Sequence, residues 1–248
     1  MRVVSLVPSV TETLLAWGIA PVAVTRFCEQ PEFPTVGGTK DPDIAAIVAL
    51  RPDLVVVNDE ENRREDADAL RAAGLTLHVT SVRSVADVAP CLSALAAAVD
   101  GPAPPPKIAQ PEHLIPRQRH EAHRLREERG GGRAAAARGR AAFVPIWRRP
   151  WMTLNGDTYG SSVLAALGVT NVYAADAERY PVVTLGDAAA RQPELVLAPS
   201  EPYPFRPRHA AELHEVAADV RFVDGQDLFW WGVRTPAALE RLAQSIGA

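Results

Sequence analysis

The sequence predicts an α/β fold of two similar parallel-sheet lobes joined by a single linker or helix. Three observations carry this. Short apolar runs of strand length alternate with helical stretches, the rhythm of a parallel sheet with helices on its faces. The alternation fills residues 1–100, stops, and resumes over 142–248. One unit also occurs twice. Ile44–Leu50, Arg51-Pro52-Asp53 and Leu54-Val55-Val56 parallel Leu185–Arg191, Gln192-Pro193-Glu194 and Leu195-Val196-Leu197. Each copy is a helix, a polar residue, proline, an acid and an apolar strand.

In the first half, Val3–Val7 reads as a buried strand. A helix from about Val10 to Trp17 follows, capped by Ser9 or Thr11 and closed by Gly18. Pro21–Thr25 is a second strand. Pro42–Leu50 is a short helix with Asp41 as cap and proline at its first position. Leu54–Val57, with three valines, is a strand. Asn62–Ala73 is a polar-faced helix closed by Gly74, Leu75–Thr80 a strand, and Ser84–Val99 a helix.

In the second half the strands are Ala142–Ile146, Leu195–Ala198 and Val220–Val223. The helices are Ser161–Leu167, Thr184–Ala190, Ala210–Ala218 and Pro236–Ile246.

The segment 101–140 breaks the pattern. It carries Pro102, Pro104, Pro105, Pro106, Pro111 and Pro116, arginine-rich blocks and the low-complexity run Ala134–Ala137. Those prolines exclude one continuous helix, and at best a helix runs over about 117–128. Two readings stand: a linker with the composition of disorder, or a local reading-frame error in GC-rich coding DNA. The organisation expected is therefore a lobe at 1–100, a linker at 101–141 and a lobe at 142–248.

Composition narrows the function classes. With 47% hydrophobic residues in 248, a sizeable core is available. A net charge of -4 gives no electrostatic case for nucleic acid or an anionic membrane as partner. Two cysteines, Cys28 and Cys91, make no disulfide framework. The opening Met1-Arg2 runs straight into a strand with no signal-peptide pattern, and no stretch has the length of a membrane span. The expectation is a soluble cytoplasmic protein, or an exported or membrane-associated one if the start is misassigned.

Three motifs resemble a known family: Val4-Ser5-Leu6-Val7-Pro8-Ser9-Val10-Thr11-Glu12; Arg26-Phe27-Cys28-Glu29-Gln30-Pro31 with Val36-Gly37-Gly38-Thr39-Lys40-Asp41-Pro42-Asp43; and Leu50-Arg51-Pro52-Asp53-Leu54-Val55-Val56. In this order and spacing the chain resembles the class III substrate-binding proteins of ABC transporters, and within them the cobalamin-binding, helical-backbone metal receptors. The Gly-Gly-Thr-Lys-Asp-Pro-Asp run is fairly specific, whereas Arg-Pro-Asp-Leu-Val is common to the superfamily. The resemblance implies two α/β lobes joined by one long helix, with the ligand in the cleft between them. It further implies a small-molecule metal chelate as ligand, an ABC permease as partner, a monomer, and no tightly bound cofactor. The proline-rich 101–140 departs from that pattern, and Gln30 stands where relatives often carry histidine.

Open α/β sheets bind ligands beyond the carboxyl ends of their strands. Ser9 lies there at a helix N-terminus, where its simplest role is capping. Phe27 and Cys28 follow the second strand, and Cys28 reads more simply as a half-buried, inert thiol. Asn58 follows the third strand, with Asp59, Glu60 and Glu61 beside it as a cleft mouth, a docking surface for the permease, or a solvated face.

The second lobe is richer in rings. Trp147, Trp151 and Tyr159 flank one strand end, Pro202-Tyr203-Pro204-Phe205 follows another, and Phe229, Trp230 and Trp231 follow a third. Four of the five tryptophans fall in these loops, where a core role does not require them and a large planar ligand would. Arg148, Arg149 and Arg234 are able to pair with ligand carboxylates or phosphate, or simply face solvent.

No histidine reads as a metal ligand. His113, His120 and His123 lie in the anomalous segment without zinc spacing, His78 lies in a strand, and His209 and His214 lie near a helix start and on its surface. The favoured function is non-enzymatic binding of a corrinoid or related metal chelate, for ABC-type uptake or intracellular carriage. The alternative is an enzyme on a bilobal scaffold, such as a tetrapyrrole chelatase. Against it, the sequence has no phosphate loop, no nucleophile elbow and no cysteine pair for a cluster.

Overall fold

A computed structural model describes residues 1–102 and 139–247. The expected helix over 117–128, and with it most of the expected linker, lies outside the described residues. The described chain forms two compact units. The first holds residues 1–82, 86–102 and 230–235, and the second holds 83–85, 139–229 and 236–247. The short segment 230–235 therefore belongs with the N-terminal residues, a departure from a division into two sequence blocks.

The first unit is built on a parallel sheet of β1 (Val3–Ser5), β2 (Ala23–Val24), β3 (Leu54–Asn58) and β4 (Leu77–Thr80), in the order β2-β1-β3-β4. Val4 is the partner of both Ala23 and Val55, and Val56 pairs with His78. Every residue of β1 and β3 is buried, as strands covered on both faces require. Val4, Leu6, Ala23, Ile47, Val55, Val57 and Leu70 make one core cluster.

Around this sheet lie α1 (Pro8–Ala16), α2 (Ile44–Leu50), α3 (Arg64–Ala72) and α4 (Val85–Ala98), the last of which opens in the second unit at Val85. The sequence placed the start of α1 two residues late. Pro8 opens it, with its missing N–H where none is needed. The N-cap is Val7, which offers no side-chain bond, so Ser9 and Thr11 are not caps but buried positions inside the helix. The cap of α2 is Asp43, which accepts from the Ala46 N–H at 2.9 Å, rather than Asp41. Asp41 instead forms an ion pair with Arg26.

The second unit repeats the scheme with β5 (Ala141–Phe143), β7 (Thr170–Asn171), β9 (Leu195–Pro199) and β10 (Asp219–Val223), parallel in the order β10-β9-β5-β7. A separate antiparallel ribbon pairs β6 (Trp151–Met152) with β8 (Val182–Val183). Sequence periodicity missed it, because two-residue strands carry no period. The helices are α5 (Tyr159–Ala166), α6 (Leu185–Ala190), α7 (Ala210–Leu213), α8 (Gly225–Phe229) and α9 (Thr235–Ile246). Thr158 caps α5, and Thr184 with Asp187 forms a capping box on α6. The helix expected over 210–218 stops at Leu213, and α8 was not foreseen.

The duplicated unit is structural as well as sequential. Arg51 and Gln192, at the same place in each copy, both hold positive φ, at 45° and 53°. The next N–H but one then donates to the neighbouring strand: Asp53 N to Arg2 O at 2.8 Å, and Glu194 N to Ala141 O at 2.8 Å. Leu54 pairs with Val3, and Leu195 with Ala142, so both copies dock their strand on the same kind of neighbour.

Candidate functional site

At the carboxyl end of the first sheet, a 3-10 turn at Arg26–Cys28 follows β2. It turns Phe27 outward, 49% exposed, with the Arg26 guanidinium 4.8 Å from its ring centroid. Cys28 points the other way and is 2% exposed. Its sulfur lies 3.2 Å from both the Thr11 and the Thr25 hydroxyl oxygens, and Thr11 Oγ1 is also 2.8 Å from Ser5 Oγ. Burial pushes the thiol pKa up, against the hydrogen bonds of Thr11 and Thr25. A buried, protonated thiol is a poor ligand contact, so Cys28 braces the turn that presents Phe27. Cys28 and Cys91 are both free.

Asn58 is buried and fully engaged. Its Oδ1 accepts from the Glu60 and Glu61 N–H groups at 2.9 and 3.0 Å, and its Nδ2 donates to Thr80 Oγ1 at 3.2 Å. It shapes the turn after β3 and has little left to offer a ligand. Ser9 is buried in α1.

The segment 230–235 completes this unit. Trp231 is 3% exposed, and Gly232 sits where a Cβ would fall 2.5 Å from Thr13 Oγ1. Arg234 Nε lies 2.8 Å from Glu12 Oε2, and the Arg234 guanidinium is 5.1 Å from the half-buried Trp230 ring. Trp231 is thus a core residue, contrary to the ligand role read from sequence, and Arg234 is ion-paired with Glu12.

In the second unit the rings expected from the loops divide into two groups. Tyr159 is buried in α5, and the Phe229 ring lies where a Cβ on Gly160 would meet it at 2.9 Å. Tyr159 is thus core, and half-buried Phe229 packs against α5. The other group forms a cluster after the carboxyl ends of β5 and β9. Trp147 meets Tyr203 edge to face, with centroids 5.7 Å apart. Tyr203 meets Phe205 at 4.8 Å, and Trp151 stacks on Phe205 at 5.9 Å with 9° between planes. Edge-to-face and offset stacked geometries are those the ring quadrupole favours. Phe205 is buried, Tyr203 and Trp151 are half-buried, and Trp147 is 44% exposed, so the cluster grades from core to surface.

The sequence named Phe205 beside Tyr203 without giving it a ligand role, and it missed His209 as a cluster member. Phe205 follows the proline-bracketed Tyr203 and serves as the cluster's base. His209, read as lying near a helix start, is buried 5.6 Å from the Tyr203 ring. Its Nδ1 accepts the Arg206 N–H at 3.1 Å, and burial, seconded by the Arg208 and Arg148 charges, holds its pKa below the usual histidine range. Arg148 is not free for a ligand, because its Nε donates to Glu212 Oε2 at 3.0 Å. Among the described residues no group of three His, Cys, Asp or Glu converges as a metal site. Chemically the cluster is a surface of rings, suited to flat apolar faces rather than to proton or group transfer.

The family model described as periplasmic binding protein matches residues 3–219. The vitamin B12-binding protein of Vibrio parahaemolyticus is 26% identical over 217 residues, 84% of this chain and 71% of that protein. That of Yersinia pestis strain Pestoides F is 26% identical over 202 residues, 79% and 68% of the two. Among solved structures, the periplasmic vitamin B12 binding protein BtuF of Vibrio cholerae superposes with TM-score 0.73 at 22% identity, over 99% of this chain and 96% of that one. A periplasmic heme-binding protein from Pseudomonas aeruginosa superposes with TM-score 0.71 at 20% identity, over 100% and 93%. At such identities the superpositions speak for the fold.

These matches correct the cytoplasmic reading. It rested on the opening residues, which are β1 and its approach, whereas the family is one of periplasmic proteins. They also leave the chelatase alternative without support, since the relatives are binding proteins. By the match over residues 3–219, the chain belongs to the periplasmic binding protein family and is a non-enzymatic α/β ligand-binding protein.

Proposed function

We propose that this chain binds a corrinoid, or a closely related metal chelate, and delivers it to an ABC-type permease. The observation that carries the reading is the graded aromatic cluster beyond β5 and β9, where exposed Trp147 stands edge-on to Tyr203 above buried Phe205. A corrinoid has broad apolar faces and a polar amide fringe. Exposed rings held rigidly by rings beneath them meet such a face at little conformational cost. The vitamin B12-binding relatives favour the same ligand class. Trp147, Trp151 and Tyr203 are the contacts proposed in the second unit, and Phe27 is the exposed ring of the first.

Titration with cobalamin, followed by tryptophan fluorescence, tests this. Wild type should show saturable quenching. Trp147→Ala should weaken binding by about 30- to 1000-fold, the range for truncating an aromatic anchor. Arg71→Ala, at an exposed position paired with Asp68, should bind as wild type does. No binding of any corrinoid at millimolar ligand refutes the ligand class. Unchanged binding by Trp147→Ala and Phe27→Ala leaves the class standing and refutes the residues.

A further inference from the structure

Ring contacts alone do not fix the outer rings of the aromatic cluster. Trp147 is exposed and Tyr203 half-buried, and they meet edge to face. A single aromatic pair of this kind is weak. The Trp147 backbone is secured, since its carbonyl accepts the Met152 N–H at 3.1 Å and the Ile146 N–H donates to the Met152 carbonyl at 2.8 Å. Tyr203 lies between Pro202 and Pro204, which offer no N–H to tie the loop down at those places. Something further must hold its ring at 75° to that of Trp147.

One guanidinium does so. Arg148, next in sequence to Trp147, has a side chain only 14% exposed. Its Nε donates to Glu212 Oε2 at 3.0 Å and its Nη2 to Glu212 Oε1, a two-point fork. The same guanidinium donates to the Tyr203 hydroxyl. Glu212 stands on α7, and its bond with Arg148 holds its carboxyl below the usual carboxylate range, so the fork is charged at neutral pH. Arg148 therefore joins three segments: the turn that carries Trp147, the loop that carries Tyr203, and α7. The planar fork fixes the direction of the guanidinium, and the third bond passes that direction on to the Tyr203 ring.

This arrangement supplies geometry more than stability. The Glu212 side chain is 40% exposed, and ion pairs so open to water contribute little to folding. A ring already held when the ligand arrives, however, does not have to be ordered on binding. We propose that Arg148 is a positioning residue for ligand binding, which acts through the Tyr203 hydroxyl and, anchored by Glu212, sets the angle between the Tyr203 and Trp147 rings. The inference rests on the cluster being the ligand platform, as proposed above.

A double-mutant cycle on cobalamin affinity, read by calorimetry, tests it. Arg148→Met keeps the aliphatic stem and removes the guanidinium, and Tyr203→Phe keeps the ring and removes the hydroxyl. Each should weaken binding by about 3- to 100-fold, the range for ordering one or two side chains on binding. The double variant should bind like the weaker single one, because both changes break one connection. Arg148→Lys keeps the charge but not the fork, and should fail as Arg148→Met does. A second measurement needs no ligand. In protein carrying carbon-13 at tyrosine Cζ, the Tyr203 NMR signal, identified by its absence from Tyr203→Phe, should shift in Arg148→Met. Near-UV circular dichroism verifies folding. Should Arg148→Met not fold, Glu212→Gln, which loosens the fork, takes its place in both measurements. Losses that multiply in the double variant, full affinity in Arg148→Lys, or an unmoved Tyr203 signal overturns the role of Arg148 and leaves the ligand reading intact. No binding of any corrinoid by wild type overturns that reading, and this inference falls with it.

Discussion

Trp147 and Trp231 are the same residue in opposite settings, one 44% and the other 3% exposed. Their truncations should therefore fail differently. Trp147→Ala removes a surface ring and should change ligand affinity with little change in stability. Trp231→Ala opens a cavity, and urea unfolding should show a loss of about 3–5 kcal/mol. The reverse pattern would mean that the buried ring is the ligand anchor.

His209 makes a pH prediction at the same scale. Its neighbours are Arg206, Arg208, Arg148, Glu212, Tyr203 and Phe205, and burial is the first cause of its lowered pKa. The unfolded chain binds this proton more readily than the folded one. The residue's contribution is therefore complete above the unfolded pKa, ordinarily about 6.5, and is lost as pH falls through the lower folded value. Urea midpoints should fall from neutral pH toward mildly acidic pH, and His209→Gln should flatten that fall. An unchanged pH slope in the variant would remove His209 from the account.

Elements here are short, and their ends are made by specific contacts. Asp43 closes the N-terminus of α2, a helix of seven residues, with one side-chain bond. Asp43→Ala should cost about 0.5–2 kcal/mol, the range for lost N-caps. Asp41→Ala, at the position that sequence favoured, should cost less, since Asp41 meets only an exposed arginine. Close packing limits α5 in another way. A Cβ on Gly160 would sit 2.9 Å from the Phe229 ring and 3.1 Å from Leu154. Gly160→Ala should cost about 1–3 kcal/mol by overpacking, in spite of alanine's better helix propensity. A stabilised variant would show that this contact yields easily. Both measurements read the midpoint of urea unfolding.

For the whole molecule, binding without chemistry has its own signature. Ligand present at 100 times its Kd should stabilise the folded chain by about 2.7 kcal/mol, visible as a rise in Tm. Cobalamin should be recovered with its absorption spectrum unchanged. A tetrapyrrole and free metal ion incubated with the protein should yield no chelate beyond the protein-free control. Turnover lost on mutating a cluster residue would overturn the binding-protein assignment for this chain.

At this scale the sequence determined the parallel α/β character, the strand-by-strand order of the first half, three of the strands of the second and the unit repeated between them. Those properties are written locally. An apolar run such as Leu54–Val57 forms a buried strand wherever it lies, and Arg51-Pro52-Asp53 and Gln192-Pro193-Glu194 set the same turn by the same backbone constraint. The sequence also placed rings after the strand ends of the second half. It did not say which of those rings would be core, that residues 230–235 would close the first unit, or that His209 and Phe205 would underlie Tyr203. Only the tertiary structure decided these matters, because the exposure of a side chain and the partner of a polar group depend on residues distant along the chain, and no local pattern of composition or period records them.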